Sequence, residues 1–362
     1  MDVTLKTALK RLQFENVLTE NATKIGEGAW HKVYKLERLF EEDLVIRIKK
    51  KKAYGEIQCF DTNELISEYE STRAYYQHAN EIDLNICPVY YQYFIEDELV
   101  FTVETFMGNG QDISLLKMNE ATAYGKKLGF FFNKIHSKKT VMDGFGHLHW
   151  NGEYLQGSNH QLINEIWEDD NNHYLNMLDI LNHSKLNFNK EKVTEKIKNL
   201  IDNRRKQIQR VSLVNQDITP ENIILEFNEI SIIDPFPKID FDLKYAAYFV
   251  FCYKFLLPSF STAPRYRKNA YHEKSSILND IAEGYIKGYF YDINGDEYKI
   301  QVKRLTDEYT LWMLQEAYDH YEVLNQDKLN NKIIQQRGDR EVIEDRLALI
   351  LGELEGVTIP RK

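Results

Sequence analysis

The sequence has few cysteines and no long hydrophobic run. Its 362 residues include only Cys59, Cys87 and Cys252. Their odd number and wide spacing give neither a disulfide framework nor a metal-ligand pattern. The longest apolar stretch, 246–251, is far too short to cross a membrane. The N-terminal M-D-V-T-L-K-T-A-L-K also lacks the apolar core of a signal peptide. These absences predict a soluble, cytoplasmic protein with no membrane partner.

An excess of basic residues is also absent. The chain carries 56 acidic against 46 basic residues, a net charge of −10. Phosphate neutralisation needs clustered Lys and Arg, so this balance argues against nucleic acid as a main partner. The length and the 43% hydrophobic content are sufficient for a sizeable core. They predict two domains, or one large domain with two lobes.

The order of the predicted elements indicates an α+β fold. Residues 1–19 are predicted to form a short amphipathic helix or arm, and short strands follow between 22 and 50. A helix is predicted over 61–79, and two further strands lead to G-N-G-Q-D after Met107. We therefore predict two lobes: a small antiparallel β lobe over 1–106 and a larger, mainly helical lobe over 107–362.

Helical spacing supports this division. In the first lobe the apolar positions of the predicted helix are Leu65, Tyr69, Thr72 and Tyr76. In the second lobe one stripe comprises Ala121, Tyr124, Leu128, Phe131, Phe132 and Ile135. Further helices are predicted near 160–182, 189–208, 241–257, 273–290, 305–325 and 338–354.

The first polar motif is I-G-E-G-A-W-H-K-V-Y, residues 25–34, between two predicted strands. Gly26 and Gly28 would let a ligand, such as a phosphate group, approach the backbone amides closely. A simple tight turn explains the same letters, so this motif alone leaves both interpretations open.

The second motif is L-V-I-R-I-K-K, residues 44–50. Arg47 or Lys49 on a strand face is either an edge charge that points to water or a buried cation that needs a partner. The helix that follows offers three acidic candidates: Glu64, Glu68 and Glu70.

The third motif is N-Q-D-I-T-P-E-N, followed by the strand I-S-I-I-D. Asp217, Asn222 and Asp234 are oxygen donors of the kind that Mg²⁺ prefers. A carboxylate without metal could accept the proton of a hydroxyl. The alternative is a capped turn in which Asp217 and Asn222 bond local amides.

Taken in order, these motifs resemble the protein-kinase-like fold of the aminoglycoside phosphotransferase and choline kinase superfamily. D-I-T-P-E-N is similar to the catalytic-loop pattern D-x-x-x-x-N, and I-I-D resembles the strand that ends in the metal-binding Asp. G-E-G-A-W-H-K-V resembles the glycine-rich loop, V-E-T-F-M-G the hinge, and L-G-F-F-F-N-K-I-H-S the helix before the catalytic loop. The resemblance covers about residues 20–260.

The resemblance implies a role for each matched residue. Asp217 would be the catalytic base, and Asn222 and Asp234 would bind Mg²⁺. Arg47 would contact the ATP phosphates, oriented by Glu68, with Lys49 as the alternative register.

The nucleotide would be held mainly by backbone groups. The amides near Gly26 and Gly28 would cover its phosphates, and Glu104 to Phe106 would line the adenine pocket. ATP is the expected nucleotide, with GTP as an alternative. Two positions depart from the family: His31 stands at the third glycine position, and Asn215 stands where most relatives have His.

The expected activity is transfer of the γ-phosphate to a hydroxyl of a small molecule. The segment P-F-P-K-I-D-F-D-L after Asp234 is too short for the peptide platform of a protein kinase. An aminoglycoside-like acceptor, or another amino sugar or amino alcohol, is the leading hypothesis. Acidic residues near 168–170 and 308–322 would suit such a cation, although a solvated helix face explains them too. The alternative function, motivated by His31 and Asn215, is a catalytically weak nucleotide-binding protein with a regulatory or structural role.

Overall fold

The computed structural model describes residues 3–12, 22–38, 41–97, 99–226 and 229–356. Within these ranges the chain forms two compact units. The first comprises the described parts of Met1–Gln111, His147–Ser158 and Asn215–Lys238, and the second comprises those of Asp112–Gly146, Asn159–Val214 and Ile239–Lys362. The segments 147–158 and 215–238 therefore group with the first unit, because the chain returns to it twice. The predicted lobe boundary at 106/107 stays a prediction.

The strands and helices are numbered here in chain order. The strands are β1 Ala22–Glu27, β2 His31–Leu36, β3 Leu44–Lys49, β4 Lys52–Ala53, β5 Glu56–Ile57, β6 Tyr91–Glu96, β7 Leu99–Thr105, β8 Phe145–Trp150, β9 Leu155–Asn159, β10 Val211–Asn215, β11 Ile223–Glu226, β12 Glu229–Ile232 and β13 Pro237–Phe241. The helices are α1 Val3–Leu12, α2 Thr62–Asn80, α3 Met118–Ser137, α4 Ile163–His183, α5 Lys190–Arg204, α6 Asp242–Phe251, α7 Leu257–Phe260, α8 Ser275–Tyr289, α9 Gly295–Leu324, α10 Asn331–Arg337 and α11 Arg340–Glu355.

The first unit is built on a five-stranded antiparallel sheet in the order β1-β2-β3-β7-β6. Alternate residues of β3 point to opposite faces of this sheet. Ile46 and Ile48 pack with Leu5 and Ala8 of α1 in one apolar cluster. Arg47 and Lys49 alternate with these isoleucines along the strand, so they point to the opposite face. The helix predicted at 1–19 is α1; residues 13–19 lie outside the described ranges.

Helix α2 belongs to the first unit and begins at a capped end. The Asp61 side chain accepts the N–H groups of Asn63 and Glu64, which otherwise lack a helical partner. The predicted apolar face is buried as expected, at Leu65, Tyr69, Thr72 and Tyr76. Leu65 and Tyr69 pack against Val100 of β7, so the helix stands on the sheet face that carries Arg47 and Lys49.

The second unit is largely helical. The predicted stripe of α3 is buried throughout, at Ala121, Tyr124, Leu128, Phe131, Phe132 and Ile135. The helix predicted at 241–257 is divided into α6, a π-helical turn over Cys252–Leu256, and α7. In the described ranges, no helix combines the length and apolar character needed to cross a bilayer.

Glycines let helices α3 and α8 approach closely. A Cβ on Gly125 would lie 1.9 Å from the carbonyl oxygen of Ile281, and one on Gly284 would lie 2.1 Å from that of Thr122. Because no atom tolerates such a distance, the two helices pack backbone against backbone at these positions. This contact holds α3 in the second unit.

Candidate active site

The predicted site residues all lie in the first unit, and the loop that carries Asp217 is fastened there by Asn215. Its buried side-chain oxygen accepts the N–H of Asp217 at 3.0 Å and the N–H of Phe236 at 2.9 Å. The N–H of Gln216 in turn donates to the carbonyl of Phe236 at 3.0 Å. Residues 215–217 are therefore tied to the segment that follows Asp234. Asn215, a departure from the family pattern, bonds main-chain groups on both sides of the site.

A hairpin brings the two predicted metal ligands together. Strands β11 and β12 pair with Ile223 opposite Ile232, and the Ile233 N–H donates to the Asn222 carbonyl at 3.0 Å. Asn222 therefore lies beside the residue that precedes Asp234. Asp234 has a φ of 49°, a value uncommon for residues other than glycine, and its side chain is 48% exposed. The strained residue presents its carboxylate to solvent.

The two cations of β3 have different partners from those predicted. Lys49, not Arg47, pairs with Glu68 of α2, at 2.8 and 2.9 Å. Arg47 donates through Nε to Glu104 of β7 at 2.8 Å, and its Nη1 lies 3.6 Å from Asp234. The predicted orientation of Arg47 by Glu68 is therefore wrong, since Glu68 bonds Lys49 and Arg47 bonds Glu104. Lys49 reaches Glu68 because it lies one pleat further along the strand.

Burial and charge fix the protonation of Arg47. Burial lowers its pKa, but the carboxylates of Glu104 and Asp234 outweigh that effect and hold the pKa above its usual value. Tyr76 lies beside the same groups: its hydroxyl donates to Glu104 at 3.0 Å and accepts the Asp234 N–H at 3.0 Å. Burial and the neighbouring Glu104 raise the pKa of Tyr76 well above its usual range. Arg47 stays charged and Tyr76 stays protonated at neutral pH.

The glycine-rich hairpin is closed by its own backbone. Gly28 donates its N–H to the His31 carbonyl at 2.9 Å, and Gly26 lies opposite Val33. A side chain at Gly28 would meet no atom within 4 Å, so the space beside it is open. Of the two predicted glycines, Gly28 is the one that borders free space.

His31 shares the site with charged groups. It lies opposite Lys49 in the register of β2 and β3. Burial lowers its pKa to about 4; Asp234 opposes this shift, and Lys49 and Arg47 add to it. His31 is therefore a neutral imidazole at pH 7, beside the carboxylate that was predicted to bind metal.

The predicted adenine segment, Glu104 to Phe106, lies at the C-terminal end of β7. Glu104 is only 2% exposed, and its side chain is committed to Arg47 and Tyr76. The N–H of Phe106 donates to the Asp43 carbonyl at 2.9 Å. The N–H of Phe106 is thus engaged within the unit, and the predicted contact of Glu104 to Phe106 with a base stays a prediction.

Acidic residues of the second unit pair with built-in cations. The Asp170 carboxylate accepts hydrogen bonds from Arg204 at 2.7 Å and from Lys244 at 2.6 Å. The buried Glu308 carboxylate accepts one from Arg204 at 2.6 Å. Glu168 pairs with Arg205 at 2.6 Å. Asp170 and Glu308 therefore do not lie on a solvated helix face. Their carboxylates are already paired with cations of the protein, so they are not unpaired acids that could bind a cationic acceptor.

Asn222 and Asp234 would hold the metal. No side-chain hydrogen bond of Asn222 occurs within the described ranges, and the Asp234 carboxylate is half-exposed. An amide and a carboxylate oxygen are hard donors that fit Mg²⁺, which is usually completed by substrate phosphates and water. Over the described residues, no group of three or more His, Cys, Asp and Glu side chains is arranged to hold a metal ion.

Sequence reasoning missed Tyr76 and the side chain of Glu104. Tyr76 was counted only as an apolar helix position, and Glu104 only for its main chain. A Glu in an otherwise apolar strand, L-V-F-T-V-E-T, was the available signal, since a buried carboxylate needs a partner.

Comparisons with solved structures address the fold. Over 99% of this chain and 100% of the other, the structure is similar to aminoglycoside phosphotransferase APH(4)-Ia, with 13% identity and a TM-score of 0.56. A thermostable mutant of that enzyme, in ternary complex with ADP and hygromycin B, matches with 14% identity, coverage of 98% and 99%, and a TM-score of 0.55. The chain has the fold of the aminoglycoside phosphotransferases.

This phosphotransferase fold also includes the gentamicin-APH(2")-IIa complex, which matches over 99% of both chains with 11% identity and a TM-score of 0.50. No family model and no curated protein sequence matches the chain. The predicted α+β, protein-kinase-like fold, with an antiparallel sheet followed by a largely helical part, is confirmed. At such low identity the phosphotransferase fold is what the comparisons establish, and the roles of individual residues are proposals.

Proposed function

We propose that the protein is an ATP- and Mg²⁺-dependent kinase that phosphorylates a hydroxyl of a small molecule. The observation that carries this proposal is the joining of the Asp217 loop to the Asp234 segment through Asn215. Residues 215–217 and the segment after Asp234, which lie on either side of the β11–β12 hairpin, are thereby held together. A capped turn would explain bonds within the loop, but not its attachment to Phe236.

Each residue has a defined task. Asp217 accepts the proton of the acceptor hydroxyl and orients that oxygen. Asn222 and Asp234 hold the metal, and Lys49, oriented by Glu68, contacts the nucleotide phosphates. Bound ATP would supply the phosphoryl group, and bound Mg²⁺ would neutralise its negative charge. Positioning and electrostatics carry most of the rate in such transfers, so the protein needs no covalent intermediate.

The acceptor class follows from the chain after Asp234. Strand β13 begins at Pro237 and α6 at Asp242, which leaves no room for a peptide platform. A small molecule is therefore preferred over a protein substrate. The solved structures with this fold include complexes with hygromycin B and gentamicin, which supports an aminoglycoside-like or other amino-bearing acceptor as the first class to test.

A purified-protein assay tests this proposal. ADP release is measured with ATP or GTP, with and without Mg²⁺, over a panel of aminoglycosides, amino sugars and amino alcohols. We expect one acceptor to stimulate release only with Mg²⁺, and Asp217→Asn to abolish the stimulation. Glu221→Gln, which removes a carboxylate from the same loop, is the matched control and should retain activity. Stimulated release that survives in Asp217→Asn contradicts the assigned base.

A nucleotide-binding protein with weak catalysis is the second candidate. One observation favours it: the Gly28 N–H is already bonded to the His31 carbonyl. In this case fluorescent ATP would bind with Mg²⁺, while no acceptor in the panel would produce turnover that depends on Asp217.

A further inference from the structure

Four residues of the first unit form a closed ring of polar contacts. The Asp234 N–H donates to the Tyr76 hydroxyl at 3.0 Å, and that hydroxyl donates to Glu104 at 3.0 Å. The other oxygen of Glu104 accepts a hydrogen bond from Nε of Arg47 at 2.8 Å. Nη1 of Arg47 lies 3.6 Å from the Asp234 carboxylate, which closes the ring. The ring thus joins α2, β7, β3 and the turn after β12.

Three residues of the ring are mostly buried, with the Arg47 side chain 13% exposed, and Asp234 is the most exposed of the four. Tyr76 and Glu104 are each 2% exposed, whereas the Asp234 side chain is 48% exposed. A buried carboxylate, guanidinium and hydroxyl are costly to desolvate unless each is bonded. Here each has a partner within the ring, and the group of the ring most exposed to solvent is the Asp234 carboxylate.

Asp234 is held at both its backbone and its side chain. Its φ of 49° is unfavourable for a residue with a Cβ and persists only where neighbouring groups determine it. Tyr76 binds the N–H on one side of this strained residue, and Arg47 faces its carboxylate. Loss of the Tyr76 hydroxyl would free the backbone, and loss of Arg47 would free the carboxylate.

We propose that Tyr76, Glu104 and Arg47 position Asp234 for metal binding, which makes Tyr76 a positioning residue of the kinase site. This inference rests on the proposed function, since it takes Asp234 as a metal ligand. It separates the two cations of β3: Lys49 contacts the nucleotide, and Arg47 belongs to the support of Asp234. Groups behind a metal ligand typically change metal affinity or activity by about 10–100-fold when removed.

The experiment compares Tyr76→Phe with Tyr93→Phe. Tyr93 also donates its hydroxyl to a carboxylate of the first unit, Glu70 at 2.7 Å, but outside the ring. Binding of a fluorescent ATP analogue is measured with Mg²⁺ and with EDTA. We expect Tyr76→Phe to weaken Mg²⁺-dependent binding by about 10–100-fold, to leave binding in EDTA unchanged, and Tyr93→Phe to match wild type in both.

A second measurement needs no nucleotide. Amide hydrogen exchange of peptides covering residues 231–236 reports directly on the hydrogen bond from the Asp234 N–H to Tyr76. Tyr76→Phe should speed exchange there and leave the other peptides unchanged. A second variant, Glu104→Gln, keeps the side-chain volume while weakening the hold on Arg47, and should change Mg²⁺-dependent binding in the same direction.

The outcomes are distinct. Unchanged exchange in Tyr76→Phe overturns the ring, and faster exchange with unchanged Mg²⁺-dependent binding overturns its positioning role. If wild-type protein binds no nucleotide, the proposed function fails and the metal role fails with it, while the exchange data still decide whether the ring holds Asp234.

Discussion

The ammonium of Lys49 lies 2.8 Å from the carboxylate of Glu68 on helix α2. This contact joins the central sheet to the helix that packs on it, and it assigns Lys49, not Arg47, as the strand cation with a helix partner. The Lys49 side chain is 10% exposed and that of Glu68 is 42% exposed. Lys49 is thus about as buried as Arg47, whose side chain is 13% exposed, and the pair reaches solvent through Glu68.

Replacement of Lys49 and Arg47 should have opposite consequences. Lys49→Met should lower kcat/KM for ATP by about 10-fold or more. It should change the free energy of unfolding by only about 1 kcal/mol, because the carboxylate that it leaves, Glu68, is 42% exposed and stays hydrated. Arg47→Met should destabilise the protein by about 3–5 kcal/mol, because it leaves Glu104 buried without its cation.

Urea unfolding and steady-state kinetics on both variants check this prediction. Lys52→Met, which replaces an exposed lysine of β4, is the control for loss of a lysine. A larger stability loss for Lys49→Met than for Arg47→Met would reverse the assignment of the two cations.

Asn215 should matter for both stability and rate. Asn215→Ala removes the acceptor of the Asp217 and Phe236 N–H groups, and an unsatisfied buried donor costs about 1–3 kcal/mol. Because the loop that carries Asp217 loses its attachment, kcat should fall more than KM for ATP changes. Urea unfolding and acceptor-stimulated ADP release measure the two effects.

The control for this substitution is Asn203→Ala, which removes an exposed amide of the second unit that bonds Lys206. It should leave both quantities near wild type. Full activity of Asn215→Ala would refute the supporting role of Asn215.

The contact between α3 and α8 should not accept a methyl group. Gly125→Ala places a Cβ 1.9 Å from the Ile281 carbonyl oxygen, so the helices must separate. We expect a loss of about 3 kcal/mol in the free energy of unfolding, measured by urea denaturation without nucleotide.

Gly28→Ala is the matched stability control, since a Cβ there meets no atom within 4 Å. Its unfolding free energy should stay near that of wild type. Equal stability of the two alanine variants would show that the close approach of α3 and α8 does not exist in solution.

Stability should fall in acid because of buried His136. Burial lowers the pKa of His136 to about 3, from an ordinary value of 6.5. Above that ordinary value the imidazole is neutral in both states, so it adds no pH dependence. Below it the unfolded chain takes up a proton that the folded protein excludes until the pH approaches 3. The free energy of unfolding therefore decreases by about 2 kcal/mol from this group at about pH 5.

The measurement compares urea unfolding at about pH 7.5 and about pH 5 for wild type, His136→Gln and His183→Gln. The difference between the two pH values should shrink by about 2 kcal/mol in His136→Gln. His183, with a side chain 78% exposed, should leave it unchanged. An unaltered difference in His136→Gln would contradict the assignment.

Local pattern was sufficient for the long helices, the strands of the five-stranded sheet and the order of the motifs. The stripe of α3 and the buried face of α2 follow from helical spacing, because side chains three and four apart share one face. The motif D-I-T-P-E-N and the strand that ends in Asp234 carried the resemblance to the phosphotransferase fold. The helix faces and the motifs can be recognised without knowing which distant segments of the chain pack against them.

Partner choice needed the tertiary structure. Arg47 and Lys49 are two residues apart, and a strand places such residues on the same face, so no local rule assigns Glu68 to one of them. The register of β3 with β7 places Arg47 near Glu104. The packing of α2 against the sheet places Glu68 within hydrogen-bond distance of Lys49.

The sequence by itself determined the long helices, the strands of the five-stranded sheet, the motifs and their order, because these depend on spacing along the chain. Strands β8 and β9 and helix α10 were not predicted. Only the tertiary structure decided the ring around Asp234, the support by Asn215 and the pairing of Asp170 and Glu308 with Arg204. Those contacts join residues far apart in sequence, and a buried charge is satisfied by whichever group the fold places beside it.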